Sequence, residues 1–259
     1  MNLLLYCYVS RKKIRGLRIS EAFVAARDGQ IVRDQTMRAG EIAYWGMNDY
    51  LAPVWPARLA ADRWFYLDNG YLKRGHFFRV TVNGEQIDGI GKGSEFRFHR
   101  MTVHLNKKWR KGGRYILICP PGDEYMRCRG LSRRGWFNAT VSIISRNTDR
   151  PIRIRDKPQR GAQPPPLADD LADAFAVVTY TSNVAIDALL AGVPVFVNGP
   201  SAARPMAESD FAKIETPFYS DGRREWARWL AANQWSEQEL RAGKHWRFWQ
   251  DKGLIDGLG

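Results

Sequence analysis

Short apolar runs alternate with polar segments of helical character along most of the chain. The runs that predict buried strands in its first part cover residues 2–9, 42–46 and 64–67. The segment 19–27, which Asp28 and Gly29 close, predicts a helix, whereas 96–103 has no clear period and predicts irregular or β-rich structure. Such an alternation favours an α/β fold with a parallel sheet covered by helices.

The same alternation returns in the second part of the chain. A buried strand is predicted over 115–119, ahead of a Pro-Pro-Gly turn that ends at Gly122. Further elements are predicted as a helix over 136–146, a strand over 151–158, a short helix over 167–174, and tail helices over 223–233 and 236–249. This second group predicts another α/β unit that a helical tail follows.

The segment 176–197 carries the clearest pattern. It predicts a buried strand, a hydroxyl-rich turn, a short helix that Gly192 ends, and a second buried strand. Ser182 or Asn183 can cap the helix, and Asp187 lies one turn into it. A helix N-terminus at the carboxyl end of a parallel strand is a common place for an anion to bind.

Residues 182–195 of this segment resemble the donor site of GT-B glycosyltransferases. The similarity is to the capsule-polysaccharide (Kdo-transferase-like) and CDP-glycerol-transferase-like branches, in which a serine precedes an acidic residue and Gly-x-Pro-Val. The resemblance implies that Thr181, Ser182, Asn183 and Asp187 contact the phosphates and ribose of a nucleotide-sugar donor. Asp187 stands where many members carry glutamate. The alternative interpretation is an ordinary βαβ unit with a good N-cap.

Two further elements resemble parts of the same enzymes. Arg155 and Lys157, ahead of Pro158, are similar to a basic element that precedes the donor segment, which implies a phosphate role; surface charge is the alternative. Gly122 could approach the donor closely. Asp68-Asn69-Gly70-Tyr71 resembles an acidic-x-Gly-aromatic element near the acceptor.

The acceptor-side element implies a general base. Asp68 is the first candidate to take the proton of an acceptor hydroxyl, and His76 is the second. Arg74 and Arg79 follow closely and could bind an acceptor phosphate. The alternative for Asp68 is a local role in an Asn-Gly turn.

The resemblance implies two Rossmann-like domains with a cleft between them. We expect an acceptor-side domain over 1–108 and a nucleotide-sugar-binding domain over 109–259, whose tail helices cross back. The sequence shows neither an Asp-x-Asp metal motif in a suitable loop nor zinc-ligand spacing among its cysteines and histidines. We therefore expect metal-independent catalysis, with the nucleotide-sugar as co-substrate and no other cofactor.

The positive charge is concentrated in one block. The chain carries a formal net charge of +13, and residues 97–160 hold 17 lysines and arginines against 4 acidic residues. Such a block predicts a polyanionic partner. Candidate nucleic-acid contacts in it are Lys107, Lys108, Arg110, Arg133 and Arg134. A solvated basic face is one alternative interpretation, and binding of the donor's diphosphate by several of these arginines is another.

A compact, strongly basic transferase suggests a phage enzyme that glycosylates a modified base, such as 5-hydroxymethylpyrimidine, in DNA. One alternative acceptor is a capsule or surface polysaccharide. Another alternative is a nucleic-acid-binding protein that keeps the scaffold without catalysis. The 259 residues contain no apolar run of transmembrane length, and the apolar start predicts a buried strand. We expect a cytoplasmic protein, in the host cytoplasm if a phage encodes it.

Overall fold

The computed structural model describes residues 4–10, 14–158 and 163–255. Its strands are β1 (Leu5–Tyr8), β2 (Gln30–Val32), β3 (Glu41–Trp45), β4 (Trp64–Asn69), β5 (Phe78–Val82), β6 (Tyr115–Cys119), β7 (Ile152–Ile154), β8 (Ala174–Thr179), β9 (Val195–Val197) and β10 (Gln234–Trp235). Its α-helices are α1 (Ile14–Val24), α2 (Glu95–Arg100), α3 (Asp123–Cys128), α4 (Arg133–Ser145), α5 (Leu167–Ala172), α6 (Val184–Ala191), α7 (Arg223–Ala232), α8 (Glu237–Arg241) and α9 (Lys244–Asp251). The α/β class expected from the sequence is confirmed.

The contacts within the chain divide it into two units. The first combines the described parts of 1–87 and 233–259, and the second covers the described part of 88–232. The division therefore differs from the expected boundary at 108/109. Its cause is α2, which packs on α7 of the second unit: the backbone N–H of Ser94 donates to the Arg228 carbonyl at 3.3 Å, and the Glu95 carboxylate pairs with Arg224 at 2.7 Å.

The first unit is built on a six-stranded mixed sheet. The strand order is β10-β5-β4-β3-β1-β2, in which β1 to β4 are parallel while β5 and β10 run antiparallel to their neighbours. The expectation of parallel strands is confirmed for the apolar runs at β1, β3 and β4. The short β10 between two tail helices was not predicted, since two residues carry no periodic signal.

The tail helices α8 and α9 complete the core of the first unit. Leu240, Trp246 and Trp249 are buried in one apolar cluster with Phe23 of α1 and Phe65 of β4. The α9 helix places His245 among the same rings, 5.2 Å from the Phe23 centroid. These side chains form the apolar face of the tail helices, and that face is buried in the core of the first unit.

The second unit contains a four-stranded parallel sheet. Its strand order is β7-β6-β8-β9. Strands β6, β8 and β9 are buried throughout because helices cover the sheet, which explains their continuous apolar runs, whereas β7 at the edge of the sheet is partly exposed. The predicted end of α6 at Gly192 is confirmed: φ is +82°, and a β-carbon there would lie 2.4 Å from the Lys108 carbonyl oxygen.

Two local expectations are wrong. The helix predicted over 19–27 starts earlier than expected: α1 begins at Ile14, the first residue described after the gap at 11–13. The segment 96–103 was expected to be irregular, but it contains α2, which Ser94 caps by accepting the Arg97 N–H at 3.2 Å. Within the described ranges, none of the helices combines the length and apolar character that crossing a bilayer requires.

Candidate donor-binding site

The site lies at the carboxyl edge of the second unit's sheet. From β6 the chain continues to β7 on one side, and from β8 it continues to β9 on the other. The carboxyl ends of β6 and β8 therefore form a topological switch point, where open α/β sheets bind their ligands. The loops that leave these two ends contain Gly122 and Ser182.

Hydrogen bonds join the two loops at the switch point. The Thr179 hydroxyl donates to the Cys119 carbonyl at 2.7 Å, and the Ser182 backbone N–H donates to the same hydroxyl oxygen at 3.3 Å. Thr179 is fully buried, so both bonds are shielded from water. The ends of β6 and β8 are thus held at a fixed separation.

The start of α6 follows the predicted pattern. The Ser182 hydroxyl accepts the Val184 backbone N–H at 3.3 Å. Ser182 lies one residue ahead of Asn183, which occupies the N-cap position of α6. The Thr181 hydroxyl donates to the Pro200 carbonyl and ties the turn to the loop after β9. Asn183 and Asp187 are half-buried, Asp187 in the first helical turn. The positive end of α6 therefore faces the carboxyl edge of the sheet.

Lys157 brings a positive charge to the β6 loop. Its side chain is exposed, and its Nζ lies 3.3 Å from the position that a β-carbon would take on Gly122. A side chain at residue 122 would meet this ammonium group. Gly122 and Lys157, predicted from separate parts of the sequence, are therefore in contact.

Arg133 fastens the Lys157 segment to the β6 loop. Its Nε donates to the Pro121 carbonyl at 2.9 Å, and one terminal nitrogen contacts both carboxylate oxygens of Asp156 at 2.6 and 2.7 Å. Asp156 in turn accepts the Lys157 backbone N–H at 3.0 Å. The sequence assigned Arg133 to nucleic-acid contacts, whereas its place in the structure is at the predicted donor site.

Arg155 does not share the surroundings of Lys157. Its guanidinium forms an ion pair with Asp170 of α5 and donates to the Pro165 carbonyl at 2.8 Å. These bonds give Arg155 a role in joining β7 to α5. A phosphate contact of Arg155 or Lys157 remains a prediction.

The N-termini of α3 and α6 at this edge differ in charge. The first turn of α3 carries the exposed carboxylates of Asp123 and Glu124, which already neutralise the positive end of that helix. The first turn of α6 has Asp187 as its acidic residue. An incoming phosphate is therefore repelled less at α6 than at α3.

Three aromatic side chains meet at the same edge. The ring centroid of Tyr180 lies 6.2 Å from that of Trp136 and 6.3 Å from that of Tyr125. The Trp136 indole N–H donates to the Asn198 side-chain oxygen at 2.9 Å. A β-carbon on Gly199 would lie 2.7 Å from Cζ of Tyr180, so this ring packs directly on the glycine. The sequence placed Tyr125 and Trp136 in the basic block, as rings that could stack on bases, but did not indicate that they meet Tyr180, which directly follows a predicted strand.

The acceptor-side candidates lie in the first unit. Asp68 stands at the end of β4, where Arg79 of β5 donates to its Oδ2 at 3.1 Å and the Asn69 backbone N–H donates to its Oδ1 at 2.7 Å. Burial acts to lower the pKa of the Arg79 guanidinium, but Asp68 together with Tyr71 and Tyr66 raises it above its ordinary value. Arg79 is only 4% exposed. Its place supports Asp68 rather than an acceptor phosphate.

Arg74 and His76 lie on the exposed turn between β4 and β5. The Arg74 guanidinium is 3.4 Å from the Tyr71 carbonyl. Asp68 itself remains about one-third exposed, with its side chain at 31%. Of the two base candidates, Asp68 is therefore the one that neighbouring side chains hold in place.

The basic block does not form one surface. Arg133 and the exposed Arg134 begin α4 at the carboxyl edge, but Lys107 and Lys108 follow Asn106, whose backbone N–H donates to Leu190 at the far end of α6. Arg110 donates to the carbonyls of Leu171 and Ala172 at the end of α5. Because α5 and α6 end at the amino edge of the sheet, Lys107, Lys108 and Arg110 lie at that edge.

Much of the positive charge at the amino edge serves the unit itself. The helices α4, α5 and α6 all end there, and their last carbonyls make this edge negative. Arg114 pairs with Asp173, and Arg150 pairs with Glu215 at 2.9 Å. Arg223 donates to the Leu189 carbonyl at 2.8 Å. The block is explained in part by these contacts, without a polyanionic partner.

In residues 4–10, 14–158 and 163–255, no three His, Cys, Asp or Glu side chains are grouped as they would be around a metal ion. Metal-independent catalysis remains a prediction.

Comparison with known proteins gives structural similarities only. No family model matches the sequence, and no curated protein matches it. Among solved structures, the chain is similar to the β-Kdo 2,4-transferase of Thermosulfurimonas dismutans KpsC, with a TM-score of 0.49, 10% identity and 90% of each chain covered. It is also similar to the β-Kdo 2,7-transferase of the same KpsC, with a TM-score of 0.49 and 12% identity over 93% of this chain and 99% of that one.

Proposed function

We propose that this protein is a glycosyltransferase that transfers a sugar from a nucleotide-sugar donor to a hydroxyl group. The donor would bind at the carboxyl edge of the second unit, and the first unit would serve the acceptor in a GT-B-like enzyme. The observation that carries the proposal is the contact of Lys157 with Gly122 at the switch point whose other loop contains Ser182. The sequence by itself predicts Lys157, Gly122 and Ser182 to lie at the donor phosphates.

The proposed chemistry follows from the charge at this edge. When the bond between the anomeric carbon and the phosphate oxygen breaks, the departing diphosphate gains negative charge. Lys157 and the positive end of α6 would stabilise that charge. The acceptor oxygen forms the new bond to the anomeric carbon, and its proton would pass to Asp68, which Arg79 holds in place.

The proposed acceptor is a hydroxymethylated pyrimidine in DNA, as a phage enzyme acting in the host cytoplasm would meet it. The sequence pI of about 9.9 supports a polyanionic acceptor. A capsule polysaccharide is the alternative acceptor. Binding of nucleic acid without catalysis is the alternative function, because part of the positive charge lies at the amino edge, away from Lys157.

A transfer assay tests the proposal. The protein is incubated with UDP-, GDP- or CMP-sugars and with hydroxymethylated DNA, unmodified DNA or capsule polysaccharide, and mass spectrometry detects a sugar on the acceptor. We expect transfer from one donor, at least about a hundred-fold slower in Asp68→Asn if that carboxylate is the general base. Asp169→Asn, an exposed carboxylate on α5, is the matched control. Salt-sensitive DNA binding without transfer from any donor would contradict the proposal.

A further inference from the structure

The aromatic group of Tyr125, Trp136 and Tyr180 has no part in the phosphate chemistry described above. We propose that these three side chains form the nucleobase subsite of the donor, with the base stacked on Tyr180. This inference rests on the proposed function, because it places the base of the same nucleotide whose phosphates Lys157 and α6 would bind.

The position of the rings supports this subsite. Tyr180 lies two residues before Ser182, and Tyr125 lies three residues after Gly122, so the aromatic group adjoins both phosphate-side loops. Two residues of extended chain span about 7 Å, which leaves room for a ribose between a base at Tyr180 and a phosphate at Ser182. A nucleotide with its phosphates at the switch point can therefore reach the rings.

Neighbouring residues hold Tyr180 and Trp136 in fixed orientations, so the rings are in place before a ligand binds. Gly199 lets Tyr180 lie against the backbone, because any side chain there would overlap the ring. Asn198 fixes the Trp136 indole through its 2.9 Å hydrogen bond. Trp136 also contacts the buried Phe211 ring, at 6.5 Å between centroids, which anchors the group to the core. Preorganised rings lose little entropy when a ligand binds.

Their exposure distinguishes these rings from an ordinary core. All three side chains are half-buried, whereas Tyr115 of β6 and Phe196 of β9 are buried. The rings therefore keep accessible aromatic surface at the edge where the sheet binds ligands. A flat base can stack on such a surface whichever of the bases it is, because every base has a π face.

The test compares nucleotides with pyrophosphate by titration calorimetry, using UMP, CMP, GMP and inorganic pyrophosphate as the actual probes. We expect Tyr180→Leu to weaken the best nucleotide about five- to a hundred-fold and to leave pyrophosphate unchanged, because pyrophosphate has no base. Tyr180→Phe should restore binding. Tyr219→Leu is the matched control. Tyr219 is also a half-buried tyrosine, but its ring packs against Trp109, which lies between Lys108 and Arg110 at the amino edge of the sheet.

A second measurement uses the unaltered protein, in case Tyr180→Leu does not fold. In saturation-transfer NMR, protons of the bound base should receive more saturation than those of the ribose, because aromatic side chains surround the base. Nucleotide binding that Tyr180→Leu leaves intact, or stronger saturation of the ribose, would overturn the subsite while the donor site stands. If neither pyrophosphate nor any nucleotide binds the wild-type protein, both the subsite and the proposed function fail.

Discussion

The ammonium group of Lys157 covers Gly122, with Nζ 3.3 Å from the place of a β-carbon on that glycine. Because the two residues follow β7 and β6, this contact joins the ends of neighbouring parallel strands. The glycine leaves the lysine charge directly above the turn that begins α3. A glycine at residue 122 leaves room for the ammonium group, which a larger side chain would displace.

Substitution of Gly122 tests this contact. Gly122→Ala should change the free energy of unfolding by less than about 1 kcal/mol, since φ is −73° and the new methyl group meets the end of a flexible side chain. Binding of pyrophosphate should nevertheless weaken, because the ammonium group must move. Calorimetric titration and thermal unfolding of the same samples measure both effects. Unchanged affinity in Gly122→Ala would show that the position of Lys157 does not matter.

Glu41 carries a buried charge in the first unit. Its side chain is 1% exposed and pairs with Arg27 and, at 2.8 Å, with Arg63. Glu41→Gln should destabilise the protein by about 3–5 kcal/mol, because two largely buried arginines would lose their counter-charge. Urea unfolding measures this loss. Glu237→Gln, at a more exposed carboxylate that pairs with Arg18 at 3.0 Å, should cost about 1 kcal/mol or less. Equal losses for the two variants would contradict the account.

His245 makes stability depend on pH. It is fully buried among aromatic rings, neither ring nitrogen has a hydrogen-bond partner among the described residues, and burial lowers its pKa from 6.5 to about 3. The unfolded chain therefore binds a proton at a pH where the folded protein does not. The stability that neutral His245 contributes is fully present above about pH 6.5 and is lost as the pH decreases towards 3. The free energy of unfolding should fall by about 2 kcal/mol between pH 7 and 5 on account of this group.

Denaturant unfolding at pH 7 and pH 5 tests this dependence. His245→Phe should remove about 2 kcal/mol of the difference between the two pH values, because the ring is retained without its titrating nitrogens. His104→Gln, at an exposed histidine, is the control and should keep the full difference. The account of His245 would fail if the His245→Phe protein lost as much stability at pH 5 as the wild type.

The sequence predicted best where a local pattern and the fold require the same thing. The β-branched run of β8 and the Gly192 stop each depend on neighbouring residues, and both are present as expected. The segment of α2 was missed because it packs on α7, more than a hundred residues later in the chain.

The site was predictable only in part, for the same reason. Gly122 was assigned from its turn after a predicted strand and Lys157 from the resemblance to a basic element, but Arg155 was assigned together with Lys157 and pairs with Asp170. Charge counting did not distinguish arginines that bind helix ends, such as Arg110, from those that are open to a partner. The convergence of Trp136 and Tyr180 depends on strand order, which the sequence did not specify.

Donor binding at Lys157 tests the central claim most directly. Calorimetric titration with UDP-, GDP- and CMP-sugars should find one nucleotide family that binds the wild type. Lys157→Gln should bind it about ten- to a hundred-fold more weakly, as expected for loss of a charge-assisted hydrogen bond. Lys108→Gln, at an exposed lysine on the amino edge, should bind it like the wild type. Equal weakening in both variants, or binding that Lys157→Gln leaves unchanged, would contradict a donor site at this edge.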